Sequence, residues 1–396
     1  MKTVTHLIVG GGMAGAAAAQ AIAKINPEAG LAVLCAESDP PYDRPPLTKD
    51  LWTGGTLDDV WRNTEETGAE ILTNRRAVLL DPERCEVTDD TGGVIRYENL
   101  LLATGGHPKT LDFGENIVYY RTLADYRRVR ELTDARDSAI VIGGGFIGAE
   151  IAAGLAQSGL DVTMVFPETG INARLFPESL SKLITAYYRD KGVDVRAGRK
   201  PVALSEGAHD VRLRLDDGVE IRGGFVVAGL GVRPATELAE QGGLRVDNGI
   251  VVDEHCRSSD PRIFAAGDAA RFPCSLLHDT IRVEHEDNAN SMGTAAGRNM
   301  AGDDESYDYL PFFYSDLFDL GYEALGRTSS DMEMVDFWTD DHQKGIVFYR
   351  QLGRVQGAVF WNVWDMLAPC RELMAGGDSH ANEALRAWVE RNTDLQ

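Results

Sequence analysis

The chain has 396 residues, 43% of them hydrophobic, which is enough to bury several cores and to build two or three domains. Its 39 basic and 62 acidic residues leave a formal net charge of −23. Such a charge repels phosphate backbones and anionic lipids. Residues 7–23 could be taken for a secretory apolar segment, but their periodic glycines favour a nucleotide fold, and no other stretch approaches a membrane span of about 20 apolar residues. The composition therefore favours a soluble enzyme with no nucleic-acid or membrane partner.

The first predicted element is a strand, tight turn and helix around "IVGGGMAGAA", residues 8–17. Gly10, Gly12 and Gly15 have the spacing G-x-G-x-x-G, which lets the backbone turn sharply, approach a pyrophosphate and pack the helix close to the strand. Glu37 lies 22 residues after Gly15, at the end of the predicted strand "LAVLCAE". A carboxylate there can accept hydrogen bonds from both hydroxyls of an adenosine ribose, so this unit predicts a dinucleotide site.

The same pattern returns in "VIGGGFIGAE", residues 141–150, with Gly143, Gly145 and Gly148. Glu168 follows Gly148 by 20 residues, just past the predicted strand "DVTMVFPE". The alternative is a pair of glycine-rich strand-to-helix turns that bind nothing. Because both units carry the acid in register, we favour two dinucleotide sites in one chain.

The five cysteines are far apart in the sequence, and no C-x-x-C or C-x-x-x-x-C pair exists. The spacing therefore predicts neither a redox-active dithiol nor a tetracysteine metal site, and we expect no bound metal. It fits reduced thiols in the cytoplasm. Two nucleotide sites without a catalytic disulfide indicate that cofactors supply the chemistry.

Eight segments follow one another along the chain: "PYDRPPLTKDLW", "LLATGGHPKTL", "GGGFIGAE", "FPETG", "GDAARF", "RVEHEDNA", "YSDLFDLGYEALGR" and "KGIVFYRQLGRVQGAVFWNV". Together they resemble the flavin-dependent pyridine-nucleotide oxidoreductase superfamily. Within it they resemble the ferredoxin-reductase branch, and inside that branch the apoptosis-inducing-factor group. The resemblance implies that the first glycine unit holds FAD and the second holds NADH.

Departures from the apoptosis-inducing-factor group are informative. Only "WTDDHQ" separates "MEMVDF" from "KGIVFY", where that group has a long insertion, and no mitochondrial targeting sequence precedes Met1. Tyr314 stands where that group places a tryptophan beside the flavin. Together with the net charge, these departures favour the oxidoreductase core over a DNA-binding, death-effector role.

The implied fold is α/β, with two Rossmann-like dinucleotide-binding domains and a C-terminal α+β domain, in the architecture of glutathione reductase. Residues 1–113 and 246–301 are predicted to form the FAD domain, residues 114–245 the NADH domain, and residues 302–396 the third domain. In the third domain, the alternation in "MEMVDF" and "KGIVFYR" predicts short antiparallel strands, and "ANEALRAWVERN" predicts a closing helix.

Several residues are placed against FAD by the resemblance. Arg44 and Lys49 flank a proline-stiffened turn, with Lys49 near the reactive flavin edge; the alternative is a solvated surface turn. Asp268 in "AAGDAA" is expected to accept hydrogen bonds from the ribityl hydroxyls. The other residues expected to contact FAD are Ala103, Thr104 and Gly105 of "LLATGGHP", Glu284 and His285 of "RVEHEDNA", and Tyr314.

Residues of the second glycine unit are expected to act in hydride transfer. The resemblance pairs Glu150 with Lys49 across the domain interface, although Glu150 could instead complement its own helix dipole. Phe146 is expected to project into the site, to cover the flavin or stack on nicotinamide, with packing as the alternative. We expect His285 to orient and hydrogen-bond the flavin rather than act as a base. Trp361 and Trp364 are expected in the core of the third domain.

The sequence therefore predicts an FAD-dependent NADH oxidoreductase that passes electrons to a small ferredoxin-like carrier or a quinone. The alternative is a slow NADH-sensing interaction protein of the apoptosis-inducing-factor kind. We expect a cytoplasmic monomer or homodimer.

Overall fold

The structure, a computed structural model, describes residues 1–207, 210–340, 342–376 and 381–395. Its helices are α1 (Met13–Ile25), α2 (Leu123–Ala135), α3 (Phe146–Gln157), α4 (Glu178–Asp190), α5 (Glu237–Gln241), α6 (Glu286–Met300), α7 (Leu367–Ala375) and α8 (Asn382–Asn392). The first strands are β1 (Lys2–Val9), β2 (Leu31–Leu34), β3 (Glu70–Leu72), β4 (Ala77–Asp81), β5 (Glu86–Asp89), β6 (Val94–Leu102), β7 (Gly106–Pro108), β8 (Val118–Tyr119), β9 (Ser138–Ile142), β10 (Asp161–Phe166), β11 (Asp194–Ala197) and β12 (Pro201–Glu206). The remaining strands are β13 (Val211–Leu215), β14 (Glu220–Gly223), β15 (Val226–Ala228), β16 (Val232–Pro234), β17 (Ile250–Val251), β18 (Ile263–Ala265), β19 (Ala270–Cys274), β20 (Asp279–Ile281), β21 (Phe312–Leu317), β22 (Leu320–Gly326), β23 (Glu333–Trp338), β24 (Gly345–Gln351) and β25 (Arg354–Trp361).

The chain divides into two compact units, and each is assembled from separate stretches of sequence. The first unit comprises Met1–Arg44, Leu57–His107 and Arg233–Pro311, and the second comprises Pro45–Thr56, Pro108–Val232 and Phe312–Gln396. The three-domain boundaries expected from the sequence remain a prediction.

A seven-stranded sheet forms the centre of the first unit, with the order β3-β2-β1-β6-β5-β4 and with β18 paired to β6. Strands β2 and β6 pair in parallel with β1 on its two sides, and β18 pairs in parallel with β6. A helix between β1 and β2 allows this parallel pairing. Helix α1 packs against α6, where Gly293 and Gly297 face it. A Cβ at these glycines would lie 2.4 Å from the Ala14 carbonyl oxygen and 2.5 Å from that of Ala18. Absence of a side chain therefore sets the close approach of the two helices.

The second unit contains a parallel sheet with the order β11-β10-β9-β15-β8 and an antiparallel sheet with the order β12-β13-β14. Buried side chains from both sheets, among them Ile140, Val165 and Leu213, form one hydrophobic cluster. A third sheet, β21-β22-β25-β24-β23, is antiparallel throughout. The α/β fold class is confirmed, as are the strands predicted at "MEMVDF" and "KGIVFYR" and the closing helix α8.

Two tryptophans of the third sheet differ in their environment. Trp361 is only 1% exposed, as expected of a core residue, but the prediction that Trp364 is buried is wrong, because it is 49% exposed. Trp364 follows the end of β25 and covers the backbone at Gly321, where a Cβ would lie 2.9 Å from its ring. The edge of the indole therefore approaches the hairpin, while about half of the residue stays exposed.

The segment Pro45–Thr56 belongs to the second unit, although the residues on both sides of it belong to the first. It forms two short 3-10 helices, Pro45–Thr48 and Asp50–Trp52. The Trp52 indole donates to the Leu47 carbonyl oxygen at 2.7 Å and packs edge-to-face on Tyr126 of α2, with ring centroids 5.5 Å apart. Lys49 lies between these two short helices, so the packing of Trp52 fixes its position.

Across the described ranges, no helix is long and apolar enough to cross a membrane. Among the same residues, no group of three or more His, Cys, Asp and Glu side chains could hold a metal ion.

Candidate active site

The first glycine cradle joins β1 to α1. Gly10 has φ of +124°, and a Cβ there would lie 2.0 Å from the Ala103 carbonyl oxygen. Gly15 packs the helix onto the turn, since its Cβ would lie 2.1 Å from the Gly10 carbonyl oxygen. Gly12 is different, because no atom lies within 4 Å of the position a Cβ would take. It is the N-cap of α1 and carries no side chain to accept from the first N–H groups, so these groups can bind an anion.

The second cradle, between β9 and α3, repeats this geometry. Gly143 also has φ of +124°, and its Cβ would lie 2.3 Å from the Gly229 carbonyl oxygen. The Cβ of Gly148 would lie 2.1 Å from the Gly143 carbonyl oxygen, whereas Gly145, the N-cap of α3, again faces open space. The two glycine units thus fold alike.

Glu37, predicted to bind the first ribose, lies in a small polar cluster with Arg44. The Arg44 guanidinium donates to Glu37 Oε1 at 2.6 Å, and the Tyr42 hydroxyl donates to Oε2 at 2.5 Å. Burial disfavours the charge on Arg44, but Tyr42, Glu37 and Asp268 together hold its pKa above the ordinary value. Tyr42 was missed in the sequence, although it lies within "PYDRPP", two residues before Arg44.

Glu168, predicted to bind the second ribose, forms an ion pair with Arg174. The Glu168 side chain is 20% exposed and that of Arg174 is 83% exposed. The Gly198 N–H donates to the Glu168 carbonyl oxygen at 2.7 Å and holds the backbone there. Because Arg174 is mostly in solvent, its guanidinium can leave this pair at little cost.

The structure contains the ion pair between Lys49 and Glu150, with 2.8 Å between Nζ and Oε1. Glu150, on α3, is 5% exposed, and its carboxylate accepts two further hydrogen bonds. Thr48 Oγ1 donates to Oε2 at 2.5 Å, and Ser315 Oγ donates to Oε1 at 2.6 Å. Lys49 Nζ also lies 3.1 Å from Asp316 Oδ2.

The aromatic residues predicted for the site flank this polar cluster. Lys49 Nζ lies 4.7 Å from the centroid of the Tyr314 ring, and Tyr314 is 39% exposed. Phe146, the first residue of α3, is 37% exposed and packs edge-to-face on Phe313, with ring centroids 5.0 Å apart. Thr48, Ser315 and Asp316 were missed in the sequence, although Thr48 is next to Lys49 in "LTK" and Ser315 and Asp316 are the two residues after Tyr314 in "YSD".

His285 is the N-cap of α6 in the first unit. Burial lowers its pKa to about 4, against the opposing effect of Asp268, so the imidazole is neutral at pH 7. Nearby, Arg282 Nη1 donates to Glu284 Oε1 at 2.8 Å and to the Asp268 carbonyl oxygen at 3.1 Å. Arg282 therefore links two predicted residues, and its position at the start of "RVEHEDNA" was the signal that could have revealed it.

Ala103, Thr104 and Gly105 follow β6 at the carboxyl end of the first sheet. Thr104 Oγ1 donates to the Ala235 carbonyl oxygen at 2.6 Å, and the Ala235 N–H donates to the Gly105 carbonyl oxygen at 2.9 Å. The Ala103 carbonyl oxygen faces Gly10. These contacts hold the segment around Ala235 against the residues that line the first cradle. The predicted site residues thus fall into two groups, one in each unit.

A family model described as "Pyridine nucleotide-disulphide oxidoreductase" matches residues 4–293. The chain belongs to this family. The anthranilate 1,2-dioxygenase system ferredoxin–NAD(+) reductase component of Burkholderia cepacia is 31% identical over 391 residues, which cover 95% of each chain. Apoptosis-inducing factor 1, mitochondrial, of Dictyostelium discoideum is 31% identical over 416 residues, which cover 93% of this chain and 78% of that one. The covalent putidaredoxin reductase–putidaredoxin complex, a solved structure, matches with a TM-score of 0.88 and 28% identity over 95% of this chain and 94% of that one.

Family membership confirms the predicted resemblance and enzyme class. The protein is a flavin-dependent NAD(P)H oxidoreductase whose cofactors are FAD and NADH. None of its five cysteines forms a disulfide. The disulphide in the family's description therefore has no C-x-x-C counterpart in this sequence.

Proposed function

We propose that the protein takes electrons from NADH through FAD and passes them to a small ferredoxin-like carrier or a quinone. The observation that carries this proposal is the repeated cradle. In both units the glycine at the helix N-cap, Gly12 or Gly145, faces open space, and a carboxylate, Glu37 or Glu168, follows the next strand. Two dinucleotides and no dithiol match a flavin that is reduced by a nicotinamide.

The residues around the first cradle fit FAD. Gly10, Gly12 and Gly15 would hold its pyrophosphate and Glu37 its adenosine ribose, with Asp268 at the ribityl chain. Buried Arg282 Nε makes no hydrogen bond within the described residues, so it is available as a donor to the cofactor. For the domains we keep the predicted division, with FAD on residues 1–113 and 246–301, NADH on residues 114–245 and a third domain from residue 302.

Bound FAD would supply the redox chemistry, since it accepts a hydride and can release the electrons singly. Lys49 would place a cation beside it, held by the Glu150 carboxylate, which is itself fixed by hydroxyl donors from Thr48 and Ser315. His285, which is neutral at pH 7, would orient the cofactor without placing a positive charge beside it. Phe146, at the start of α3, would cover the flavin or stack on the nicotinamide of NADH.

A ferredoxin-like partner is supported by the relative that reduces or oxidises a ferredoxin with NAD and by the solved complex with putidaredoxin. The five cysteines form no disulfide, which supports a reducing compartment, and we place the protein in the cytoplasm as a monomer or homodimer. The net charge of −23 disfavours nucleic acid and anionic membranes as partners.

A slow NADH-sensing role is the second candidate, and the 31% identity to an apoptosis-inducing factor favours it. Stopped-flow flavin reduction by NADH, measured beside turnover with ferricyanide, a quinone and a ferredoxin, distinguishes the two. Rapid reduction with turnover supports the enzyme. Slow reduction that ends in a long-lived charge-transfer band supports the sensor, and a purified protein that releases no FAD on denaturation contradicts both.

A further inference from the structure

Lys49 is shared between two carboxylates rather than paired with one. Its Nζ lies 2.8 Å from Glu150 Oε1 and 3.1 Å from Asp316 Oδ2. The Lys49 side chain is only 10% exposed, whereas that of Asp316 is 53% exposed. One cation and two anions leave this group with a net charge of −1.

Consecutive residues of β21 hold both members of the Lys49 and Glu150 pair. Ser315 and Asp316 are neighbours on this strand, yet each contacts a different member of the pair. Buried Ser315 donates to Glu150, and half-exposed Asp316 accepts from Lys49. A single ion pair with a half-exposed Asp adds little to folding stability, so the consequence to test is the effect of the Asp316 charge on Lys49.

We propose that Asp316 is a positioning residue that shares Lys49 with Glu150 and so limits the positive charge that Lys49 presents to FAD. This inference rests on the proposed function, which places Lys49 beside the flavin. A flavin gains negative charge when it accepts a hydride, and a nearby anion disfavours that gain. Asp316 therefore lowers the midpoint potential of the bound FAD and makes the electrons easier to pass on to a carrier of low potential.

The test is the midpoint potential of the FAD in the purified holoenzyme, measured by equilibration with a reference dye. Asp316→Asn removes the charge and keeps the shape. Asp319→Asn is the matched control, because Asp319 lies in the same hairpin and pairs with a different lysine, Lys191, at 2.8 Å. Asp316→Glu keeps the charge and tests whether the conservative variant restores the potential.

We expect Asp316→Asn to shift the equilibrium between oxidised and reduced flavin toward the reduced form by about threefold to tenfold. Tenfold corresponds to about 30 mV for a two-electron couple. Asp319→Asn and Asp316→Glu should match the wild type. Equal potentials in Asp316→Asn and Asp319→Asn would overturn the inference and leave the proposed function standing. A wild-type protein that binds no FAD, or whose FAD is not reduced by NADH, would instead contradict the proposed function.

Discussion

Glu150 is a nearly buried charge with a complete set of donors. Lys49 supplies one, and the Thr48 and Ser315 hydroxyls supply two more. A carboxylate that is 5% exposed would cost several kcal/mol of desolvation without them. Helix capping, the alternative for Glu150, leaves these contacts unexplained, because they come from outside α3. The arrangement favours a role in holding Lys49.

Glu150→Ala should therefore slow flavin reduction by NADH at least tenfold while the FAD content of the purified protein stays near one per chain. The lysine keeps its contact with Asp316 but loses the buried partner that fixes its direction. Rapid-mixing absorbance gives the reduction rate, and flavin released on denaturation gives the content. Unchanged reduction would return Glu150 to a capping role.

Glu168 should make the enzyme prefer NADH to NADPH by about tenfold or more in kcat/KM, equivalent to about 1.4 kcal/mol. A 2′-phosphate would lose the hydrogen bonds that ribose makes and would meet a like charge, which costs about 1 kcal/mol at 4 Å even in water-like surroundings. Arg174 opposes this preference, because its exposed guanidinium could turn to the phosphate.

The opposing effects of Glu168 and Arg174 are measured by the ratio of kcat/KM for NADH to that for NADPH, determined in the wild type and in Arg174→Ala. A widened NADH preference in the variant would show that Arg174 assists NADPH. If the wild type used NADPH as well as NADH, Arg174 would outweigh Glu168 and our interpretation of Glu168 would be wrong.

His285 should make folding stability depend on pH in the acid range. Its pKa is about 4 in the folded protein and is ordinarily 6.5, so between these values the unfolded chain binds a proton that the folded chain excludes. Stability therefore falls as pH drops below 6.5, by about 2 kcal/mol at pH 5 from this group alone, and is unaffected above 6.5. The melting temperature should therefore fall less between pH 7 and pH 5 in His285→Gln than in the wild type. Parallel curves for the two proteins would contradict the assignment.

At the scale of elements, each glycine cradle contains glycines that the fold requires and one glycine, at the helix N-cap, that we expect to serve binding. Gly148→Ala should lower the melting temperature, because its Cβ would lie 2.1 Å from the Gly143 carbonyl oxygen and neither backbone can move away. Gly145→Ala should leave the melting temperature nearly unchanged, since φ of −89° and ψ of −167° suit alanine and no atom lies within 4 Å. It should instead raise KM for NADH by about tenfold, or about 1.4 kcal/mol. Equal destabilisation by both substitutions would contradict this division.

These elements also show how far the sequence could predict the structure. Strand, turn, glycine cradle and helix are local, so "IVGGGMAGAA" and "VIGGGFIGAE" predict them directly. The contacts of Glu150 are not local: Thr48 is 102 residues away in sequence and Ser315 is 165, while Lys49 and Asp316 are 267 apart. Nothing in the pattern of one strand specifies such partners, and Lys49 was placed only through resemblance. The prediction that Trp364 is buried was wrong for the same reason, because the contact of Trp364 with Gly321 on β22 joins residues 43 apart in sequence.

For the molecule as a whole, charge should govern the encounter with a protein carrier. At a net charge of −23, docking of an acidic ferredoxin is opposed at long range, and salt shortens that range to about 8 Å at 0.15 M. We expect the rate of ferredoxin reduction to rise as salt is added at low ionic strength, while the rate with an uncharged quinone stays flat. A ferredoxin rate that falls with salt would reveal a local basic patch. Because the sequence has no C-x-x-C dithiol, oxidised glutathione and other disulfides should not be reduced.

The interleaved order of the two units has a consequence for how the protein is made. Strand β6 is synthesised long before its neighbour β18, and α1 long before α6, which begins at Glu286. Neither β6 nor α1 can complete its packing until the later element has been made. At typical rates of synthesis, the roughly 160 residues from Leu102 to Ile263 take about 8 to 30 s to leave the ribosome. During that interval the nascent chain exposes an apolar strand edge and the alanine-rich face of a helix. Slower translation should therefore lengthen the time for which chaperones must shield the first unit before its sheet is complete.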